Sequence, residues 1–473
     1  MAGHPGVSLE RRLANFRSGL AAQAGPDGPP PSPHPPANLA EILAAAVDGE
    51  VVRTRHGSYV RCEPPTRPVP VDRVRLARLP GQPPADAPLV CLDTETTGLA
   101  TAAGTMAFLI GLGWWEGERF RQLQLVLPDQ PDEPAMLHEL ARRIPPDGWL
   151  VTYNGRGFDW PLLVTRYRLA RRGPPAHAGH LDLLPLVRRV FRHRMLDARL
   201  RTVETDLLGI ARHGDVEGWE IPDRYLTFLR AGSAGGLIEV LHHNAQDVLA
   251  LGLLLAHVDR GYGDETARRT APHGDLAGLA RAFARDRRLD EALACLDAAL
   301  AGVDRPSSST VASHADEDAP GSEWWSPRRP ADFGGRPVGW GRGSFPHPQG
   351  DRLGDPWTVD RIARERGHML RRLGRFDDAV EAFIALAASG GRVGVAACIE
   401  AAKLREHRLG DVRGAFEAVR AGWRHAERSR AVGRPLPRYE QDLVRRGQRL
   451  RQRLAQPAVR TRSGSGIAAS VTS

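Results

Sequence analysis

Asp93 and Glu95 stand two residues apart in LVCLDTETTGL, residues 89–99. Side chains at i and i+2 of a strand leave the same face, so a strand ending here delivers two carboxylates to one spot while Thr94 points away. Two such charges repel, and the arrangement is costly unless a cation neutralises them. Farther along, Asp159 follows Phe158 in YNGRGFDWPLL, residues 153–163, and Asp247 closes the run HHNAQD that begins at His242 and His243. Each of these alone has an ordinary reading: Asp159 as a helix N-cap, Asp247 as a polar-face residue, the histidines as surface groups. Together and in this order they form a set of hard oxygen donors suited to Mg²⁺ or Mn²⁺, with an imidazole at hand to take a proton.

Those residues need rigid elements. LVCLD is short, continuous and apolar, which predicts a buried strand. FLIGLGWW and FRQLQLVL flank Glu116-Gly117 and predict an antiparallel hairpin. Pro131–Arg143 has helical spacing, WLVTYN reads as a strand, and WPLLVTRYRLARR as a helix. HLDLL is a strand-like turn into the helix LVRRVFRHRML, with Asp182 as a cap, and GGLIEVLHHNAQDVLALGLLLAHV closes the block as a helix. Tyr225 and Trp219 could stack on a base, but core packing is the expected role for both. The order of elements predicts an α/β fold, a mixed sheet with helices on its faces, over 87–262.

Around this block the chain divides further. Residues 1–50 read as an N-terminal arm with a Pro-rich linker, and 51–86 as a small β hairpin and linker. Residues 273–302 form a helical hairpin, 303–357 a disordered linker, 358–456 further helices and 457–473 a disordered tail. Leu289-Asp290-Glu291-Ala292, Phe376-Asp377-Asp378-Ala379 and Val412-Arg413-Gly414-Ala415 occupy similar places in their hairpins. The last two are about one tetratricopeptide period apart, roughly 34 residues.

The motifs DTETTGL, YNGRGFD and LHHNAQDVLAL resemble those of the DEDD exonuclease group of the ribonuclease H-like superfamily, and most of all its YprB-like branch. That resemblance implies a ribonuclease H-like mixed sheet followed by an all-α, tetratricopeptide-like region. It implies that Asp93, Glu95, Asp159 and Asp247 hold two divalent ions for 3′–5′ hydrolysis of single-stranded DNA or RNA ends. In the family the base is either a His five places before the last Asp or a Tyr four places before it. Here those places hold His242 and His243, and the spacing slightly favours His242. The resemblance further assigns Thr96, Thr97, Gly98, Leu99 and Asn154 to substrate contact.

The net charge of +9 and pI near 10.0 suit a polyanionic partner. Lys403 is the single lysine, however, so the arginine excess also fits drift in a GC-rich composition. Cys62, Cys91, Cys295 and Cys398 are too scattered for a zinc or disulfide framework, which suggests a reduced cytoplasmic protein. No apolar signal segment opens the sequence, and no apolar run is long enough for a membrane span. The competing reading is a catalytically silent nucleic-acid or protein binding module, with the helical repeats as an adaptor for a protein partner. Arg445, Arg446, Arg449 and Arg451 read as a solvated helix face rather than a nucleic-acid groove.

Overall fold

The structure, a computed structural model, describes residues 38–98, 104–212, 214–303 and 359–455. Residues 1–37, Leu99, the segment 304–358 and the tail from 456 lie outside the described residues.

Helix α1 (Leu39–Val47) precedes β1 (Glu50–Thr54), β2 (Gly57–Cys62), the short β3 (Arg67–Pro68), β4 (Leu89–Thr96), β5 (Ala107–Glu116) and β6 (Arg119–Val126). Then come α2 (Glu133–Arg143), β7 (Trp149–Thr152), α3 (Asp159–Leu169), β8 (Gly179–Asp182), α4 (Leu183–Val190), α5 (Ile221–Ala231) and the long α6 (Gly235–Tyr262). The sheet runs β1-β2-β6-β5-β4-β7-β8, with β3 pairing β6. It is antiparallel as far as β4, then parallel from β4 to β7 to β8. The parallel strands therefore end at a common edge, where connections to α3 and α4 begin.

The hairpin expected at 51–62 exists, and β2 pairs with β6. It extends the sheet and is not a separate unit. The C-terminal part of the expected arm is also structured, because α1 buries Leu39, Leu43 and Ala44 in the same core as β2.

Strand β4 alternates between two hydrophobic clusters. Leu89 and Cys91 enter one and Val90 and Leu92 the other, as a strand covered on both faces requires. The first cluster continues through α6 into the C-terminal helices as far as Leu450, so sheet and helical region share one core. Two glycines of β5, in the FLIGLGWW run, let α6 approach the sheet. A Cβ at Gly111 would lie 2.2 Å from Asn244 Oδ1, and one at Gly113 would lie 2.8 Å from Val248. The far end of α6 is anchored by Asp259, 1% exposed in its side chain, which accepts from Arg75 Nε at 2.6 Å and the Asp72 amide at 2.9 Å.

The helical region comprises α7 (His273–Arg285), α8 (Leu289–Val303), α9 (Val359–Arg372), α10 (Phe376–Ala387), α11 (Gly391–Leu404), α12 (Val412–Ala431) and α13 (Pro437–Ala455). Successive helices pack on one another, α8 against α9 included, although 304–358 intervene in the sequence. Leu289, Phe376 and Val412 each open the second helix of a hairpin. Helix α7 also packs on α4, joining array to sheet domain. The basic face of α13 is only partly solvated. Arg449 grips Glu406 at 2.6 and 2.9 Å and Arg453 adds a contact at 3.2 Å, because Glu406 is 1% exposed in its side chain and needs partners. Arg451 lies over the Phe416 ring.

The close approach at Gly111 has a measurable cost when filled. Gly111→Ala is expected to destabilise the protein by about 1–3 kcal/mol, whereas Gly236→Ala, whose Cβ would meet Arg224 at an ordinary 3.7 Å, should change stability by less than about 1 kcal/mol. Urea denaturation of both variants makes the comparison.

Candidate functional site

Asp93 and Glu95 lie on the face of β4 shared with Leu89 and Cys91, and α6 covers that face. Asn244, fully buried on α6, donates from Nδ2 to Asp93 Oδ2 at 2.9 Å. Its own Oδ1 accepts from Gln124 Nε2 at 3.0 Å, which fixes the amide's orientation. Thr94 points the other way, as strand alternation demands, and its hydroxyl donates to Asp159 Oδ1 at 2.5 Å. Asp159 opens α3 and is buried, but it does not cap that helix with its side chain. Asp247 comes from α6, one turn beyond His243.

All four carboxylates converge electrostatically at the edge where the parallel strands end. Burial, then repulsion from Asp247 and Asp159, holds the Asp93 carboxyl well above the usual carboxylate range. Glu95 is raised in the same way, by burial and then by Asp93, Asp247 and Asp159. Burial pushes Asp159 up to about 6.

The geometry separates the two histidines. His243 Nδ1 lies 2.7 Å from Asp215 Oδ1, and its Nε2 faces Asp247 Oδ2 at 3.6 Å and Glu95 Oε1 at 3.9 Å. An ionised Asp215 accepts only, so Nδ1 carries the proton and Nε2 is left toward the carboxylates. His242 is exposed on α6. Helical periodicity explains the difference, since i and i+4 share a face and i and i+5 do not.

Arg212 was not singled out by the sequence, yet it is the cation of this cluster. Its side chain is 3% exposed. It bonds both oxygens of the fully buried Glu204, lies 3.1 Å from Asp215 Oδ2, and bonds Asp247. Burial opposes its charge, but Glu204 and Asp247 hold its pKa above the ordinary arginine value. Among the described residues, no three His, Cys, Asp or Glu side chains stand ready to hold a metal ion. Thr94, Asn244 and Arg212 occupy oxygens of Asp159, Asp93 and Asp247 instead.

The remaining sequence candidates lie close by. Thr96 donates to the Gly98 carbonyl at 2.7 Å, and Thr97 exchanges bonds with the Met106 backbone, so both hydroxyls shape their own loop. Asn154 is an exposed turn residue at φ +68°, its backbone N–H donating to Asp182 Oδ1 at 2.8 Å and its side-chain amide left at the surface. Asp182 also caps α4 through the Leu184 amide at 3.1 Å. Tyr225 is core, stacked on Phe108 with centroids 4.1 Å apart. Trp219 is not, being 67% exposed, because it precedes α5 on a turn where no core face reaches it.

Residues 90–259 match the family model RNase_H_2, described as RNase_H superfamily. "Uncharacterized protein YprB" of Bacillus subtilis (strain 168) is 36% identical over 211 residues, covering 44% of this chain and 51% of that protein. The chain thus spans about half the length of the curated relative it matches. Among the described residues, no helix is long and apolar enough to cross a membrane.

Two measurements follow from the electrostatics. Arg212→Ala leaves the buried Glu204 unpaired and is expected to cost about 3–5 kcal/mol in chemical denaturation. Asp159, raised from 3.8 to about 6, binds its proton in the folded chain over a range where the unfolded chain has lost it. Its contribution to stability is therefore present below about pH 4 and is lost as pH rises through about 6. In EDTA, the melting temperature of the wild type should fall relative to Asp159→Asn across that window; a constant difference would refute the shift.

Proposed function

We propose that the ribonuclease H-like domain formed by residues 90–259 is a metal-dependent nuclease, hydrolysing phosphodiester bonds from the 3′ ends of single-stranded DNA or RNA. The observation that carries this reading is the convergence of Asp93, Glu95, Asp159 and Asp247 beside His243 at one edge of the sheet. Burial and then the repulsion of neighbouring carboxylates raise the proton affinity of Asp93 and Glu95, a strain that a bound cation relieves. All donors are hard oxygens, which fits Mg²⁺ or Mn²⁺ and not a thiolate-seeking metal.

Asp93, Glu95, Asp159 and Asp247 would hold two such ions, which when bound supply an activated water and charge neutralisation at the scissile phosphate. Binding requires Arg212 to yield its grip on Asp247 and Thr94 its bond to Asp159. His243 is the proposed base. Asp215 holds its Nδ1 proton, which keeps Nε2 oriented and able to take a proton from water. The backbone of Thr96, Thr97 and Gly98 is suited to contact the terminal nucleotide, since the threonine hydroxyls are already engaged. Leu99 completes that loop in the proposal, and Asn154 offers an exposed amide from the end of β7. Four buried free thiols suit a reducing cytoplasm.

A second reading is a silent binding module, with the helical array as its adaptor for a protein partner. The observation favouring it is that Arg212 already neutralises Asp247, so the cluster can persist without metal.

Incubation with 5′-labelled single-stranded DNA and RNA separates the two readings. Mn²⁺ or Mg²⁺ should produce a ladder shortening from the 3′ end, EDTA should stop it, and Asp93→Asn should abolish it without unfolding the chain. His243→Ala should slow hydrolysis by about 10²–10⁴-fold; a larger loss in His242→Ala would transfer the base role to that residue. No cleavage of either polymer with either metal would leave the binding module.

A further inference from the structure

Helices α4, α7, α8 and α9 enclose a groove of about 900 Å³ where the sheet domain meets the helical array. Arg188 and Arg189 line it from α4, Arg281 and Arg285 from α7, and Arg372 from α9. Glu365 is the one carboxylate among the lining residues, and it is taken by Arg281, Nη2 to Oε1 at 2.5 Å and Nε to Oε2 at 3.2 Å. Among the described residues no ion pair engages Arg188, Arg189, Arg285 or Arg372, and Arg372 donates only a long bond, 3.4 Å, to the Ala284 carbonyl. Asp286 is the acidic neighbour of Arg189, opposed there by Arg285.

A solvated helix face spreads its charges outward, where water and salt screen them. Here three helices from two parts of the molecule turn like charges into one concavity, which concentrates positive potential, and among the described residues no ion pair engages four of these guanidinium groups. Each guanidinium is a planar fork that matches the oxygens of a phosphate. Their spread over three helices suits a series of phosphates better than a single anion. The groove also has a fixed relation to the carboxylates. Asp182, which caps α4, accepts the amides of Asn154 and Arg156 in the candidate site's loop. Six residues of helix, about 9 Å at 1.5 Å per residue, carry the chain from there to Arg188.

We infer that this groove binds the phosphodiester backbone of a single-stranded nucleic acid, several nucleotides from the end held at Asp93, Glu95, Asp159 and Asp247. The inference rests on the nuclease reading and gives the helical array a share in substrate binding. A strand too short to span from the carboxylates to the groove forfeits these contacts, so affinity rises with length until the groove is filled.

Fluorescence anisotropy of the full chain in EDTA, with labelled oligonucleotides of about 3 and about 20 nucleotides bracketing a typical single-strand site of about 4–16, tests this. The wild type should bind the longer strand more tightly, and the triple variant R189A/R285A/R372A should lose that advantage. The slope of log affinity against log salt should become shallower by about 2, because each single-strand phosphate contact contributes about 0.7. Circular dichroism and melting check the fold, and R285E/R372E, altered only at exposed positions, gives an independent variant expected to weaken long-strand binding further. Wild-type affinity for the long strand in both variants would overturn the groove, as would a wild type that binds neither length. Mn²⁺-dependent cleavage of the short strand, assayed in parallel, shows whether the nuclease reading survives that failure.

Discussion

Like charge confined to one place is the constraint to which this domain is built. Asp93, Glu95, Asp159 and Asp247 come from one strand and two helices, and burial denies the first three the water that would otherwise separate their fields. The balance is kept by three neighbours. Asn244 and Thr94 give hydrogen bonds, and Arg212 gives a full positive charge. Arg212 is itself a buried ion and is stable only because Glu204 and Asp215 surround it. Glu204, Arg212 and Asp215 are thus fixed in place by the same charges that β4, α3 and α6 bring together.

Bringing those elements together is a matter of backbone clearance. Asp93 pairs across the sheet with Gly111, and Cys91 with Gly113. Opposite Asp93 and Cys91 the neighbouring strand therefore presents no side chain, and α6 settles into the space with Asn244 and Val248. One long helix then carries His243, Asn244 and Asp247 as a rigid group, with its other end tied to the Arg75 segment through Asp259. Positional precision at the carboxylates comes from rigid elements and not from loops.

Much of this was legible in the sequence. The spacing of Asp93 and Glu95 on an apolar strand carries its meaning directly, because period-two alternation is a local property. The β5–β6 hairpin, α2, β7, α3 and the start of β8 follow from equally local patterns, and Asp182 is the cap its position suggested. Arg212 was hidden by composition: in a chain where arginine is the default cation, one more arginine in a loop carries no signal. Asp215 and Glu204 were hidden with it, since their partners are distant in sequence. The FLIGLGWW glycines were a usable clue to a close approach, although only the partner helix gives them a purpose. The rule that i and i+4 share a helix face, with Asp247 as the reference, distinguishes His243 from His242. Helix α1 escaped notice because it is short and follows a proline-rich run, and its partner β2 gives it a core to join.

The helical array is continuous in space although two of its neighbouring helices are far apart in the sequence. Helices α8 and α9 pack together although 55 residues, 304–358, separate them in the chain, so their contact does not depend on being neighbours in sequence. Closing a loop costs free energy that grows only with the logarithm of its length, about 0.6 kcal/mol per doubling. Once that interface is made, the length of the connection between α8 and α9 has little effect on its free energy. The fold thereby contains a point at which new sequence can be acquired beside an existing core, with neither the carboxylate edge nor the stacking order disturbed.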